Sequence, residues 1–200
     1  MKRCILPVVV GIAFLGGQAA AQPDFAAWTR AAPERAGEVL AFETLLDQNG
    51  VGQVLPAREL LRNATSWRAC KLEWPWSMPP RALWGHIVPT LAFIRDEVVP
   101  RIGPVRVESG WREPKLNACA GGAAHSAHAL FYALDLVPQR PVSQKTLIDA
   151  ICRAHRESGR AHNIGLGFYG GVRFHVDTRG FRRWGSDNHS ATSPCAAIAG

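Results

Sequence analysis

The sequence predicts an α+β fold, in which a small antiparallel sheet is flanked by helices and preceded by a helical N-terminal annex. Apolar residues recur at helical spacing in both halves of the chain, whereas short alternating segments appear only after residue 103. Their order along the chain shows no β-α-β rhythm, which argues against a parallel sheet. We therefore expect a leader over residues 1–21, the annex over 22–80 and the main domain over 81–200.

The first residues have the features of a secretory signal peptide. Lys2 and Arg3 precede an apolar run from Ile5 to Leu15, and the small residues of "GGQAAAQ" follow. The apolar run is too short to cross a bilayer, which disfavours the alternative of an uncleaved anchor. We expect cleavage before Gln22 and a periplasmic or secreted protein, with no later segment that could span a membrane.

Charge and cysteine content narrow the functional classes. Loss of the leader's two basic residues lowers the formal net charge from +7 to +5, and no Lys/Arg block of the kind that binds nucleic acid is present. A mildly basic exported protein instead suits anionic polymers such as the cell wall, and we expect a monomer. Four cysteines remain, which predicts two disulfides of open pairing: Cys70, Cys119, Cys152 and Cys195. The alternative for Cys119, which lies close to two histidines, is a role as a metal ligand.

Helices are predicted in three regions. The first covers residues 24–67, where "DQNG" ends a long helix and "LPARELLRNA" forms a short one. The Pro-rich "EWPWSMPPR" then interrupts regular structure, and "RALWGHIVPTLAFIRDEVV" is expected to be a helix kinked near Pro89. The last helix has Ser143 as its N-cap and ends at Gly159.

Three alternating segments are predicted to be strands. "GPVRVESGW" places Val105 and Val107 on one face, and "LFYALDLV" places Phe131, Ala133, Asp135 and Val137 together. "GLGFYGGVRFHVDTRG" suggests a hairpin or strand pair. Its second half has an apolar face of Val172, Phe174 and Val176 and a polar face of Arg173, His175 and Asp177.

Asp135 is the most informative residue of these strands. An ionised carboxylate in apolar surroundings is costly unless it is paired or binds a metal. His128 lies seven residues before it, in a loop that can fold back over the strand, and His175 lies on the polar face of the later strand. Two histidines and one carboxylate are the ligand set of a catalytic zinc site that keeps one position open. The alternative is that each histidine is an ordinary surface or core residue.

Three motifs carry a resemblance to a known family. "SGWREPKLN", "GGAAHSAHALFYALDL" and "GLGFYGGVRFHVDTRGFRRWG" are similar, in this order, to the zinc D-Ala-D-Ala peptidases, in the branch whose final metal motif reads His-Val-Asp. The resemblance covers residues 103–185. It implies the fold shared with hedgehog signalling domains, a peptidase domain over residues 81–200, zinc held by His128, Asp135 and His175, and peptidoglycan stem peptides as substrates.

The resemblance also implies roles for other residues. Arg112 corresponds to an arginine that contacts substrate oxygens, with a structural salt bridge to Glu108 or Glu113 as the alternative. Ser126 corresponds to a serine that can bond the substrate, with a turn cap as the alternative.

One position departs from the family pattern. Val172 stands where many members have an acidic general base three residues before the last histidine ligand. Asp177 is the remaining acidic candidate. It is either a base or a residue that orients a ligand histidine.

Three hypotheses follow from these residues. The first is a zinc peptidase of the cell wall, either a D-Ala-D-Ala carboxypeptidase or a cross-link endopeptidase. The second is a zinc-bearing, non-catalytic module that binds peptidoglycan. The third is a disulfide-stabilised exported domain without a metal.

Overall fold

Helices and strands are mixed along the chain, as predicted for the α+β class. The computed structural model describes residues 23–197, so the predicted leader lies outside the described residues. The helices of this range are α1 (Phe25–Arg30), α2 (Arg35–Gln48), α3 (Ala57–Leu60), α4 (Val88–Phe93), α5 (Val99–Ile102), α6 (Pro114–Cys119) and α7 (Gln144–Glu157). The strands are β1 (Val105–Ser109), β2 (Ala133–Pro138), β3 (Gly165–Phe168), β4 (Phe174–Asp177) and β5 (Arg182–Trp184).

Helices form in all three predicted regions, but two of these regions are less regular than predicted, and α6 was not predicted. Residues 61–67 contain no helix. The single helix expected over residues 81–99 is instead a 3₁₀ segment (Arg81–Ile87), α4, a π turn (Ile94–Val98) and α5. Pro89 and Pro100 lie in the first turns of α4 and α5, where a missing N–H is tolerated. The Ser143 cap of α7 is confirmed, because its hydroxyl accepts a hydrogen bond from the Thr146 amide at 3.0 Å.

The five strands form one sheet in the order β1-β2-β4-β3-β5. Neighbouring strands are antiparallel except β3 and β5, which pair in parallel. The predicted fold, a small and mainly antiparallel sheet flanked by helices, is confirmed, with this parallel pair at its edge. The strand predicted for "LFYALDLV" begins later than expected, because Phe131 precedes β2 with a left-handed φ of 59° after the 3₁₀ helix Ala127–Leu130.

The predicted annex and the main domain share one hydrophobic core. Trp28, Phe42 and Leu46 from the first two helices belong to the same buried cluster as Leu134 and Phe174 of the sheet. Burial of apolar surface is the main stabilising contribution to folding, so this shared core fixes the N-terminal helices against the sheet. Within residues 23–197, none of the helices has the length and hydropathy required to cross a bilayer.

Two disulfides connect distant parts of the chain, as predicted. Cys70 is bonded to Cys119, and Cys152 is bonded to Cys195. This settles the pairing that the sequence left open, and it removes Cys119 from the possible metal ligands.

Candidate metal centre

The site is built on one transverse row of the sheet. In the strand pairing, Ser109 lies opposite Asp135, Asp135 opposite His175, and His175 opposite Gly167. Trp184 completes the row on β5. Residues opposite each other in neighbouring strands project from the same face, so this register brings together side chains that are far apart in sequence.

Glycine at position 167 makes room for the end of this row. A Cβ atom there would lie 2.2 Å from the Trp184 ring, a distance at which one of the two must move. The absence of a side chain lets the indole ring cross β3, with its centroid 4.9 Å from that of His175. The glycine of the sequence "GLG" therefore has a packing role beside the candidate ligands.

His128 reaches the row from the 3₁₀ helix Ala127–Leu130. The Ser126 hydroxyl caps this helix by accepting a hydrogen bond from the His128 amide at 3.3 Å. The His128 carbonyl accepts from the Arg112 amide at 3.2 Å, which joins this helix to the loop after β1. His128 is thereby placed above Asp135, as the sequence predicts.

The hydrogen bonds of the two histidines fix which nitrogen of each ring faces the cluster. Nδ1 of His128 lies 2.7 Å from the Gly110 carbonyl, which can only accept, so this nitrogen carries the proton. Nε2 of His175 lies 2.8 Å from Asp177 Oδ2 and donates to that carboxylate. In the neutral rings, His128 Nε2 and His175 Nδ1 therefore turn lone pairs towards each other.

Three lone-pair atoms converge at this point. His128 Nε2, His175 Nδ1 and Asp135 Oδ1 are separated from one another by 3.0–3.2 Å. Tetrahedral zinc with bonds of about 2.0–2.2 Å spaces its ligand atoms by about 3.3–3.6 Å, so a small outward movement of the three side chains would accommodate it. Both the distances and the donor types fit zinc, because buried lone pairs at this separation repel unless a cation or a proton lies between them.

The pKa values of the three cluster residues show how burial is opposed by their contacts with one another. Burial lowers the pKa of His128 to about 4. Burial alone would also lower the pKa of His175, but its hydrogen bonds to Asp135 and Asp177 raise it instead. Burial would raise the pKa of Asp135, yet its interactions with the two histidines hold it well below the ordinary value.

The second oxygen of Asp135 is held by two arginines. Arg112 Nη2 and Arg173 Nη2 each donate to Oδ2 at 2.7 Å. The Tyr169 hydroxyl donates to Oδ1 at 3.1 Å. A fully buried carboxylate is therefore kept ionised and fixed in orientation, with Oδ1 directed at the two histidines.

Arg112 is buried and makes a salt bridge, but not the one considered from the sequence. Its partner is Asp135 rather than Glu108 or Glu113. Its Nε also donates to Ser109 Oγ at 2.8 Å, so β1 holds the guanidinium beside the cluster. The Arg112 guanidinium also lines a cleft that opens over the cluster. It therefore holds Asp135 in place and can also contact a ligand.

Asp177 lies on the far side of His175 from the cluster. Besides its contact with His175, its carboxylate accepts from the Arg179 amide at 2.8 Å and from two nitrogens of Arg182 at 2.7 and 3.0 Å. The residue is fully buried and does not line the cleft. Its contacts match those of a residue that orients a ligand histidine.

A cleft with a volume of about 910 Å³ opens over the cluster. Asp135 is the only acidic side chain among the described residues that line it, whereas four arginines line it: Arg112, Arg173, Arg182 and Arg183. Charge in the cleft is therefore predominantly positive, which favours anionic ligands. Val172, at the position of the expected general base, is not among the lining residues.

The Cys70–Cys119 disulfide joins two walls of this cleft. One wall contains residues 64–66 of the predicted annex, and the other contains residues 120–123, which follow α6. The annex thus contributes directly to the cleft, a role that the sequence analysis left open.

Sequence reasoning missed Tyr169 as a site residue and placed Arg173 only on a polar strand face. Both belong to the turn between β3 and β4, which is closed by a hydrogen bond from the Tyr169 amide to the Arg173 carbonyl at 3.0 Å. The signal available was the aromatic and basic pair in "FYGGVRFH", immediately before a candidate ligand. By contrast, the structure brings Arg112, Ser126, His128, Asp135 and His175 to one cleft.

Comparison with known families identifies the core of this arrangement. Residues 87–177 match the family model described as Peptidase M15. This segment belongs to the M15 peptidase family. The resemblance to the zinc D-Ala-D-Ala peptidases is thereby confirmed, and assignment to the branch with the His-Val-Asp motif stays a prediction. No curated protein and no solved structure gives a significant match to the chain.

Membership of the M15 peptidases gives the cluster a chemical context. The M15 family comprises zinc metallopeptidases, and the matched segment contains the His-Asp-His group found in the structure. A zinc-dependent peptidase of this family acts on peptides, and the His-Asp-His group of this chain has the donor types that such an enzyme uses to bind zinc.

Proposed function

We propose that this protein is a zinc-dependent peptidase that hydrolyses peptide bonds in peptidoglycan stem peptides, as a D-Ala-D-Ala carboxypeptidase or a cross-link endopeptidase. The observation that carries the proposal is the convergence of three lone-pair atoms within 3.2 Å of one another at the base of an open cleft. His128, Asp135 and His175 would hold the zinc ion. When bound, zinc acts as a Lewis acid that polarises a carbonyl and lowers the pKa of water.

The surrounding residues prepare the cluster for this chemistry. The Gly110 carbonyl and Asp177 hold protons on the outer nitrogens of His128 and His175, so that the inner nitrogens remain free to bind a metal. Arg112 and Arg173 keep Asp135 ionised through its other oxygen. These contacts fix the ligand geometry before a metal or a substrate binds.

Substrate binding is assigned to the cationic and polar groups of the cleft. Arg112 lies beside the cluster, where its guanidinium can stabilise negative charge that develops on the scissile carbonyl oxygen. The Ser126 hydroxyl caps the 3₁₀ helix, and its position in the lining of the cleft supports a contact with the substrate as well. Stem peptides carry carboxylates, which suit the positive cleft.

Asp177 is assigned a positioning role rather than that of the general base. It contacts the nitrogen of His175 that points away from the cluster, and its remaining contacts are made by Arg179 and Arg182. A general base must lie within hydrogen-bond reach of the water it activates. From the far side of the imidazole ring, this carboxylate acts on the reaction through His175.

A non-catalytic, zinc-bearing wall-binding module is the second candidate. It is favoured by one observation: apart from Asp135, no acidic side chain of the described residues lines the cleft. Binding to a polymer requires no proton transfer, whereas hydrolysis needs a route for protons. The two candidates share the metal and differ only in turnover.

Export to the periplasm or the cell exterior is part of the proposal. The predicted leader and the two disulfides are both typical of exported proteins. This location would give a monomeric enzyme access to the cell wall without a membrane span.

The deciding experiment combines metal analysis with mass spectrometry of purified muropeptides after incubation with the mature protein. We expect about one zinc per chain, together with either loss of a terminal D-Ala or conversion of cross-linked dimers to monomers. The first product identifies a carboxypeptidase and the second an endopeptidase. Zinc without any product, combined with retention on insoluble peptidoglycan, would establish the binding module instead.

A further inference from the structure

A second cavity lies between the C-terminal end of α7 and the segment Phe181–Arg183. It has a volume of about 660 Å³, and we call it the α7 groove. It is lined by Cys152, His155, Arg156, Glu157, Arg160, Ala161, Phe181, Arg183 and Cys195. None of these residues contributes a ligand to the proposed zinc site.

The α7 groove carries an excess of positive charge. Among the described residues that line it, Arg156, Arg160 and Arg183 are basic and Glu157 alone is acidic. Glu157 accepts a hydrogen bond at 2.8 Å from Arg101, which does not line the groove. Among the residues that the structure describes, neither Arg160 nor Arg183 forms an ion pair with a carboxylate. The charge that would balance them is therefore not supplied from within the described chain.

Arg160 is held in place by an aromatic stack. Its guanidinium carbon lies 4.5 Å from the centre of the Phe181 ring. That ring is in turn stacked on His155, with 4.5 Å between centroids and 8° between planes. Guanidinium groups stack on aromatic faces while their donors stay available in the ring plane, so little side-chain freedom remains to be lost on binding an anion.

His155 and a disulfide make the floor of the groove rigid. Nε2 of His155 donates to the carbonyls of Ile164 and Arg182 at 3.0 and 3.1 Å. The disulfide from Cys152 to Cys195 ties α7 to the 3₁₀ helix Pro194–Ala196. Both features fix the position of the cationic side chains relative to one another.

Arg183 supplies the observation that points to a ligand. Its Nε atom is buried and, among the described residues, has no hydrogen-bond partner. A buried N–H without an acceptor is unfavourable, so a shift of this half-buried side chain that lets the guanidinium donate to a carboxylate or phosphate oxygen would be favourable. Arg183 also lines the large cleft, so the cleft and the α7 groove adjoin at this residue.

We propose that the α7 groove is a second binding site, specific for an oxyanion group, either a carboxylate or a phosphate, of an anionic polymer. Arg160 and Arg183 bind the anion. Because the groove adjoins the cleft, a polymer held at the zinc site can extend into it; this last step rests on the proposed function, whereas the anion site does not.

The test is a titration of the zinc-loaded protein with inorganic phosphate, and separately with a short glutamate oligomer, followed by NMR of the arginine Nε–H signals. We expect saturable shifts of the Arg160 and Arg183 signals. Arg160→Gln should weaken the affinity about tenfold, the typical effect of losing one charge-assisted hydrogen bond. Arg153→Gln is the matched control, because Arg153 is an exposed residue of the same helix that does not line the groove.

The outcomes separate the possible sources of the anion and the possible failures. Saturation by phosphate alone, by glutamate alone or by both confirms the site and names its ligand. Shifts that do not saturate, or an equal loss of affinity in Arg153→Gln, would overturn the proposal. If Arg160→Gln unfolds at a lower temperature than the parent, Arg160→Lys replaces it, and it should also weaken binding because lysine lacks the planar fork.

A hydrolysis assay distinguishes this proposal from the proposed function. Arg160→Gln should cleave a short soluble peptide as fast as the parent and should cleave polymeric wall more slowly. If neither protein cleaves any substrate but the anion still binds, the peptidase fails and the α7 groove stands.

Discussion

Replacing Asp177 by Asn tests how His175 is prepared for zinc. The carboxylate accepts the His175 Nε2–H at 2.8 Å and also accepts from two nitrogens of Arg182. An asparagine side chain offers one oxygen and one NH₂ group in place of two oxygens. Its NH₂ group must therefore face an N–H of either His175 or Arg182, and two hydrogen-bond donors then oppose each other. If the NH₂ group faces His175, the ring must move its proton to Nδ1, which removes one of the three lone pairs at the cluster.

The size of the loss in zinc affinity depends on whether His175 or Arg182 faces the new NH₂ group. Arg182 is partly exposed, with a side-chain relative accessibility of 44%, whereas His175 is at 5%. Solvent can compensate the arginine, so part of the population keeps the productive tautomer. We therefore expect a loss of about 10–100-fold in zinc affinity, the usual cost of removing an orienting contact behind a metal ligand. Hydrolysis at saturating zinc should fall far less.

The assay is a competitive zinc titration with a chelating dye, together with muropeptide hydrolysis measured over a range of free zinc. Asp149→Asn, on the outer surface of α7, is the control for loss of one carboxylate charge. Unchanged zinc affinity with hydrolysis reduced by about 10²–10⁴-fold would refute the positioning role, because that pattern is the signature of a lost general base.

Three further predictions concern stability. Gly167→Ala should lower the free energy of unfolding by about 1–3 kcal/mol, because its methyl group would collide with Trp184. Gly170→Ala is the control: no non-neighbouring atom lies within 4 Å of the added Cβ, so the free energy of unfolding should change by less than about 0.5 kcal/mol. Urea denaturation measures both changes. Replacing Cys152 and Cys195 together by Ala should cost about 4 kcal/mol in the chain-entropy account of a disulfide that spans 43 residues, and an unchanged denaturation midpoint would contradict it. Removing zinc with a chelator should lower the melting temperature, and added zinc should restore it in a concentration-dependent manner, since a ligand that binds only the folded state stabilises it; identical melting curves would argue against a folded-state metal site.

The sequence predicts that His128, Asp135 and His175 come together because these residues leave strong local signals. Asp135 interrupts an apolar strand, and His175 lies on the polar face of an alternating segment. Both signals depend on the two-residue period of a strand, which involves only neighbouring residues and can be recognised from the sequence alone. The surrounding shell is less predictable, because the contacts of Tyr169 and Arg173 depend on how a turn folds back over β2.

Three other features of the structure differ from the sequence-based predictions or were not predicted, each for a specific physical reason. The sequence favours one helix over residues 81–99, since apolar periodicity does not separate 3₁₀, α and π geometry, and two prolines then divide the segment. β5 has only three residues and pairs in parallel with β3, so it shows neither clear alternation nor a hairpin signal. The partner of Arg112 lies 23 residues along the chain, beyond the neighbouring acids considered from the sequence.

Anomalous diffraction at the zinc edge, from crystals of the zinc-loaded protein, tests the central claim most directly. We expect one strong peak within about 2.0–2.2 Å of His128 Nε2, His175 Nδ1 and Asp135 Oδ1. A peak at any other residues, or no peak in a protein that retains zinc in solution, would contradict the ligand assignment and the peptidase mechanism that depends on it.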